Sequence, residues 1–357
     1  MLRRPASEPS VDDDRGGRDP VADEHGGRDS VAGGRSPAGG RSPAGGRSPV
    51  GERGGVRLAV GVRAGRTRII DLECEPPLQI LRLHYLDPAV PDLATAILAS
   101  PSGGILDGDD IRLEISVGRG ARLHVGTQSA TRIYRTPGAG ARFNVDIKVE
   151  EGAPLEVMPD PYIPYRASRF ETTMRCEVAE GGTLLVREIV GPGRAARGEI
   201  LAFESFESRL ELVRPEGEVF ATDTVRLDPR DGLESVGLMG RYRCVGSLFV
   251  VHPGFPPDVL LAGAAAGATT GTRTGVATGA AADPSLDPAI GDPSLDPAMD
   301  GSEGPASWGA STLPAAAGAW IRVLAREPGM AEAILDGAWA AARAVLIGAA
   351  PPPSHRF

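Results

Sequence analysis

The densest run of charge-bearing chemistry in this 357-residue chain is Glu188-Ile-Val-Gly-Pro-Gly-Arg194-Ala-Ala-Arg197-Gly198-Glu199. Two carboxylates around one loop could protonate a leaving group and activate a water, as in a glycosidase. With two guanidinium groups beside them they read equally well as a structural ion-pair cluster. Gly103 to Asp110 is glycine-rich, but no helix and no Gly-Lys-Ser/Thr follows. Asp107, Asp109 and Asp110 would also repel a phosphate. That run reads as a tight turn, with Gly taking positive φ and Asp bonding the local backbone, or as a small acidic concavity. Thr127-Gln128-Ser129-Ala130-Thr131 is a compact hydroxyl cluster directly after a strand pattern. No activating base adjoins it, so it reads as turn chemistry rather than a covalent nucleophile.

Metal chemistry of the tight kind is not encoded. The five histidines, His25, His84, His124, His252 and His355, form no HxH, HxxxH or HExxH pattern, and no cysteine stands at ligand spacing to any of them. His124 reads as a sheet residue. Cys74, Cys176 and Cys244 contain no CxxC and are odd in number, so neither a zinc ribbon nor a disulfide framework is expected. A reducing cytoplasm fits that usage, and the opening residues lack the apolar core of a secretory signal. No apolar run of about 18 residues is present, so no membrane span is expected. The net charge of −9 argues against a nucleic-acid partner, which would need a positive field.

The elements that must position these residues are mostly strands. The segments 111–117, 121–127, 142–150, 171–178 and 183–190 alternate apolar and polar residues with period two. The expected fold is therefore mainly β over 56–261, a layered, β-helix-like or sandwich-like stack of antiparallel strands. The period changes near the C-terminus. Residues 331–347 follow helical spacing, and a shorter helix is expected over 315–326 after which Glu-Pro-Gly breaks the chain. These two helices are expected to form a hairpin, anchored on the body by Trp320 and Trp339. Gly and Pro together make 48 and 32 residues, well above ordinary usage. Much of the excess lies in a GGRSPA-repeat tail, 1–55, and an Ala/Gly/Asp-Pro insertion, 262–314. Both are expected to be disordered, and a short tail closes the sequence over 348–357.

In order along the body, several motifs resemble the UreD (UreH) family of urease accessory proteins. Pro77-Leu78-Gln79-Ile80-Leu81-Arg82 resembles the family's early strand, and Gly103-Gly104 with Gly108-Asp109 its glycine turn. Thr127-Gln128-Ser129-Ala130-Thr131-Arg132-Ile133-Tyr134 resembles its Thr-Gln signature, with Arg132 where lysine is usual. Pro159 to Pro164, the following Arg169, the run Glu188 to Glu199 with Gly198, and the helix around Trp339 complete the set. The two biased segments are extra to the family pattern.

The resemblance implies a non-enzymatic chaperone. It would join the accessory protein UreF and the GTPase UreG on apo-urease and help insert nickel, through an internal polar tunnel. Nickel would pass transiently, with no tightly bound cofactor. Asp107, Asp109, Glu188 and Glu199 are then candidates to line or support the path, with Arg194 holding a carboxylate and Thr127 and Ser129 offering hydroxyls. Gly103, Gly104, Gly108, Gln128, Arg132, Tyr134, Pro159, Pro164, Arg169, Gly198 and Trp339 are candidates for structural or partner roles, Trp339 toward UreF. The competing classes are a cytosolic carbohydrate-active β-protein using Glu188 and Glu199, and an inert β scaffold. Because nothing in 1–55 matches the family motifs, its deletion is expected to leave urease activation in vitro unchanged. An activity assay on the truncated chain checks this.

Overall fold

The computed structural model describes residues 51–273 and 304–352. In chain order its strands are β1 (Arg53–Arg63), β2 (Arg66–Glu75), β3 (Leu83–His84), β4 (Ala94–Leu98), β5 (Asp110–Val117), β6 (Leu123–Thr127), β7 (Thr131–Ile133), β8 (Ala141–Val149) and β9 (Pro154–Val157). They continue with β10 (Tyr162–Pro164), β11 (Arg169–Val178), β12 (Thr183–Val190), β13 (Ser205–Val213), β14 (Val219–Leu227), β15 (Cys244–Val251), β16 (Ala306–Thr312) and β17 (Gly318–Ala325). Helix α1 spans Pro257–Arg273 and α2 spans Pro328–Leu346.

The strands form two sheets, and the chain passes back and forth between them. One, here the outer sheet, has the order β14-β13-β11-β8-β5-β1-β2. The other, the central sheet, has the order β16-β17-β15-β12-β9-β6-β4-β3, with β10 pairing both β12 and β7. The expected layered, mainly β stack is present, but its strand direction is not the expected one. β1, β5, β8, β11 and β13 pair in parallel, as do β4, β6, β9 and β12; β1–β2, β13–β14, β3–β4 and the run β12-β15-β17-β16 are antiparallel. The physical reason is the coil. From β4 to β13 the chain alternates between the two sheets, so it returns to each sheet running in its original direction. Period-two alternation reports which face is buried and is blind to strand direction.

The outer sheet shows that alternation plainly. In β5, Ile111, Leu113, Ile115 and Val117 point inward, while Arg112 and Glu114 join an exposed ladder with Arg57 and Glu73. Exposed pairs of this kind contribute roughly 0–1 kcal/mol each, so this ladder keeps the face soluble more than it holds the fold. The apolar residues of both sheets meet in one core, which includes Leu58, Ile147, Phe170, Phe206, Leu184 and Val251. A second core lies on the far side of the central sheet, where Leu185, Ile189, Leu248 and Ile321 meet Leu260, Ile334, Leu335 and Trp339 of the helices. Strands β12 and β15 are thus covered on both faces and read as nearly continuous apolar runs.

The helical pair is not the expected one. Residues 318–325 form β17, not a helix: Ala319, Ile321, Val323 and Ala325 face the helices, and Trp320, Arg322 and Leu324 face the outer sheet. The alanines concealed a period of two. The partner of α2 is α1, drawn partly from the alanine- and glycine-rich segment expected to be disordered. The same expectation of disorder also covered β16, which pairs with β17, and the start of β1 at Arg53; residues 274–303 of the insertion, 1–50 of the N-terminal tail and 353–357 lie outside the described residues.

Gly263, Gly267 and Gly271 stand one helical turn apart on α1; the first two meet α2 backbone to backbone, and Gly271 faces the Ala333 and Met330 side chains. A Cβ on Gly267 would lie 2.1 Å from the Ala333 carbonyl oxygen, and one on Gly337 would lie 2.2 Å from that of Gly263. Gly267→Ala gains roughly 1 kcal/mol of helix propensity, yet its methyl has only backbone to meet. It is expected to lose about 1–3 kcal/mol net by overpacking, read from denaturant unfolding. Gly309→Ala in β16, where nothing lies within 4 Å, is expected to shift stability by under about 0.5 kcal/mol.

Candidate functional site

The motif residues gather at one end of the two sheets, where loops leave the strands. Asp107 accepts from the Gly138 and Gly140 amides at 2.8 and 3.1 Å, and Asp109 from the Leu106 and Glu52 amides at 2.8 and 2.9 Å. Both carboxylates therefore act as turn staples. Gly108 sits at φ +85°, and its amide donates to the Gly140 carbonyl. Gly104 lies so close to β7 that a Cβ would stand 2.5 Å from the Arg132 carbonyl oxygen. Arg132 and the Tyr134 hydroxyl both donate to the Gly103 carbonyl, at 3.3 and 3.4 Å.

From there the side chains stack outward. Tyr134 meets Tyr165 edge to face at 5.1 Å, and the Arg194 guanidinium lies 4.2 Å from the Tyr165 ring centre. Arg194 clamps both oxygens of Glu199, at 2.8 and 2.5 Å, across a short 3-10 turn ended by Gly198 at φ +69°. The clamp holds the Glu199 carboxyl below the usual carboxylate range, with the Arg166 amide adding to it. Pro164 lies in β10, which pairs with β7, and its carbonyl faces Gly193. Arg169 donates to the Thr136 and Gly138 carbonyls and pairs with Glu204.

Thr127, Gln128, Ser129 and Pro159 line the mouth of a cavity of about 90 Å³ that opens between the sheets and reaches Tyr162 and Met174. Thr127 Oγ1 accepts from the Asp160 amide at 2.9 Å. Glu188 stands apart from all of these. It projects from β12 between the sheets and accepts from Ser208 Oγ at 2.7 Å. Burial pushes its carboxyl up to about 7, the Ser208 bond opposing and Asp223 reinforcing the shift. The residue as a whole is half-buried. Glu188 and Glu199 have no bonding partner in common, so the structure does not assemble them into a carboxylate pair. Among the described residues no group of three or more His, Cys, Asp or Glu could hold a metal, and no helix is long and apolar enough to cross a membrane.

A family model described as the UreD urease accessory protein matches residues 52–356. The chain belongs to the UreD family. It is 35% identical over 208 residues to urease accessory protein UreD 2 of Streptomyces griseus, covering 57% of this chain and 70% of that protein. It is 36% identical over 199 residues to UreD of Mycolicibacterium gilvum, covering 56% and 71%. UreD of Haloarcula marismortui is 29% identical over a longer stretch of 282 residues, 79% of this chain and 83% of that one.

In this UreD chain Trp339 is a core residue. It is 1% exposed, with the His124 ring 5.6 Å away, so it offers no surface to a partner. Sequence reasoning missed the ionic network beside it. Arg343 donates to Glu156 at 2.8 Å, to Asp87, and to the Ala349 and Ala350 carbonyls, and His124 Nδ1 lies 2.9 Å from the other Glu156 oxygen. An arginine on the apolar face of an alanine-rich helix was the available signal.

The raised Glu188 carboxyl has a signed consequence. Between the ordinary Glu range and pH 7 the folded chain holds a proton that the unfolded chain releases, so stability falls as pH rises through that window. Glu188→Gln is expected to abolish this slope and to be the more stable form at pH 8, by roughly 1–3 kcal/mol. Denaturant midpoints from pH 4.5 to 8 check it.

Proposed function

We propose that this UreD family protein is a urease maturation chaperone that works with UreF and the GTPase UreG on apo-urease. In this reading it offers nickel a transient path between its two sheets. The observation that carries the reading is Glu188, a titratable carboxylate between apolar layers with only a serine hydroxyl bonded to it. Nickel in transit needs exchangeable oxygen stations, whereas imidazole and thiolate sets would trap it. The clefts and turns at the motif-bearing end then serve as support. Asp107, Asp109, Arg194 and Glu199 hold loop geometry, and Thr127 and Ser129 face the opening. The chain acts in this reading as a scaffold rather than an enzyme. Three free cysteines, two of them buried, fit the reducing conditions of a cytoplasm.

The test is complementation of a urease operon deleted for its own ureD, at limiting nickel. The wild-type chain is expected to restore urease and to retain a UreF partner in a pull-down. Glu188→Gln is expected to keep the pull-down while cutting activation at least about tenfold, a loss of the size one 1.4 kcal/mol contact carries. No activity together with no UreF capture from the wild-type chain would end the reading.

A further inference from the structure

Each sheet ends in two outermost strands, and three of these four edges are blunted. β2 carries Arg66, Arg68, Asp71, Glu73 and Glu75, and Ile70 bulges out of its pairing with Ala59 and Val60. β14 bulges at Phe220 and carries Asp223 and Arg226. β3 is two residues long. Charges, bulges and shortness are what keep a sheet edge from pairing with another chain. β16 has none of these protections. Its sequence, Ala306-Ser-Trp-Gly-Ala-Ser-Thr312, holds no charge and no proline, and its 7 residues pair with β17 in unbroken register. Among the described residues no strand pairs with its other side.

The bonds at the two ends of the β16–β17 ladder fix its phase. The Arg326 amide donates to the Pro305 carbonyl at 3.1 Å, and the Leu313 amide to the Gly318 carbonyl at 2.8 Å. Bonded positions alternate along an antiparallel strand. Ser307, Gly309 and Ser311 therefore bond β17, and the N–H and C=O groups of Ala306, Trp308, Ala310 and Thr312 point away from it. The side chains divide in step. Ala306, Trp308 and Ala310 pack toward the helices, and Ser307, Gly309 and Ser311 are exposed on the other face. The strand is nearly a palindrome about Gly309. Laid antiparallel on itself with Gly309 at the centre, it sets Ala306 against Thr312, Ser307 against Ser311 and Trp308 against Ala310. Every outward N–H and C=O then has a partner. Large stands against small, hydroxyl against hydroxyl, and no charge meets its like. Gly309 meets itself in the closer, non-hydrogen-bonded kind of pair, with Cα atoms about 4.5 Å apart. Centring on Trp308 instead would oppose the two indoles and push Thr312 past the end of the strand.

We propose that β16 is a self-pairing edge, through which two copies of this chain join as an isologous dimer about a two-fold axis at Gly309. The axis stands normal to the sheet. The two central sheets then continue into one another, and the helices of both copies lie on the same side. Helix α1 is the one that covers β16. Its exposed Ala262, Ala265, Ala266 and Thr269 are small and uncharged, so the helix beside the edge brings no charge to be desolvated by a second copy. The proposal is independent of the nickel-path reading, since no residue of β16 enters that reading.

The experiment uses the full chain with Cys74→Ser, which removes the exposed thiol, mild oxidation, and a non-reducing gel. Gly309→Cys places two thiols on the axis with Cα atoms about 4.5 Å apart, within disulfide reach, and is expected to give a covalent dimer. Ser307→Cys places its two copies about 13 Å apart at about 3.4 Å per residue. It is expected to stay single alone and to cross-link when mixed with Ser311→Cys. In sedimentation at rising concentration the wild-type chain is expected to pass from monomer to dimer. Ser307→Lys/Ser311→Lys opposes like charges across the axis and is expected to weaken the dimer at least about tenfold. Ser307→Lys/Ser311→Glu opposes unlike charges and is expected to stay within about threefold of wild type. Both serines are exposed in the single copy, so both variants are expected to fold. A wild-type chain that stays monomeric overturns the proposal. So does Ser307→Cys cross-linking alone as readily as Gly309→Cys, or equal weakening by the two charged variants. Each of these results leaves the chaperone reading standing as long as the wild-type chain restores urease.

Discussion

Strand β12 runs through the middle of the molecule with protein on both sides, and its two adjacent charged residues decide how the layers close. Arg187 points toward the helices, where it pairs with Asp336 of α2 and donates to the Pro159 carbonyl at 2.9 Å. Glu188 points the other way and bonds Ser208 of the outer sheet. One strand thus carries a polar tie to each neighbouring layer. Neither tie tolerates a one-residue slip, since that would exchange the faces and bury both charges without partners. The register of the central sheet, the seating of α2 and the polar contact between the sheets all depend on that alternation.

The second layer of constraint is the network on Arg343. Two carboxylates, Asp87 and Glu156, meet one guanidinium beneath α2, with His124 on the far oxygen of Glu156. Removing Arg343 would leave two buried carboxylates without their cation, a loss of roughly 3–5 kcal/mol. The network joins residues 256 positions apart, so it ties the helix to the earliest part of the central sheet. The close-packed glycines of α1 then lock α1 onto α2. The charged ladder on the outer sheet contributes little by comparison, because its members keep most of their water.

Within the glycine-rich motifs, the resemblance to the UreD family and the local geometry agree about position and differ about role. The Gly103–Asp109 turn and the Arg194–Glu199 clamp come together at one end, as a shared function would require, yet their carboxylates are occupied with amides and a guanidinium. Glu188, in the same sequence motif as Glu199, instead faces the outer sheet and accepts from Ser208 there. A motif marks a stretch of chain. It does not say which of its side chains point inward, and here the 3-10 turn at Ala195–Arg197 carries Glu199 away from Glu188.

By itself the sequence determined the layered β body, the approximate span of β5, β8, β11 and β12, the second helix and the family. Those are local or cumulative properties: period, turn chemistry and ordered short motifs survive in one dimension. Only the tertiary structure decided that the strands run parallel, that 318–325 is a strand, that α1 partners α2, and that Trp339 is core. It also placed Ser208 beside Glu188 and Asp223 beside Arg322. Strand direction depends on where the chain goes between strands, and these pairings depend on the register of several strands taken together. Neither is written in the spacing of any single segment, because the groups that meet, such as Asp223 and Arg322, lie 99 residues apart.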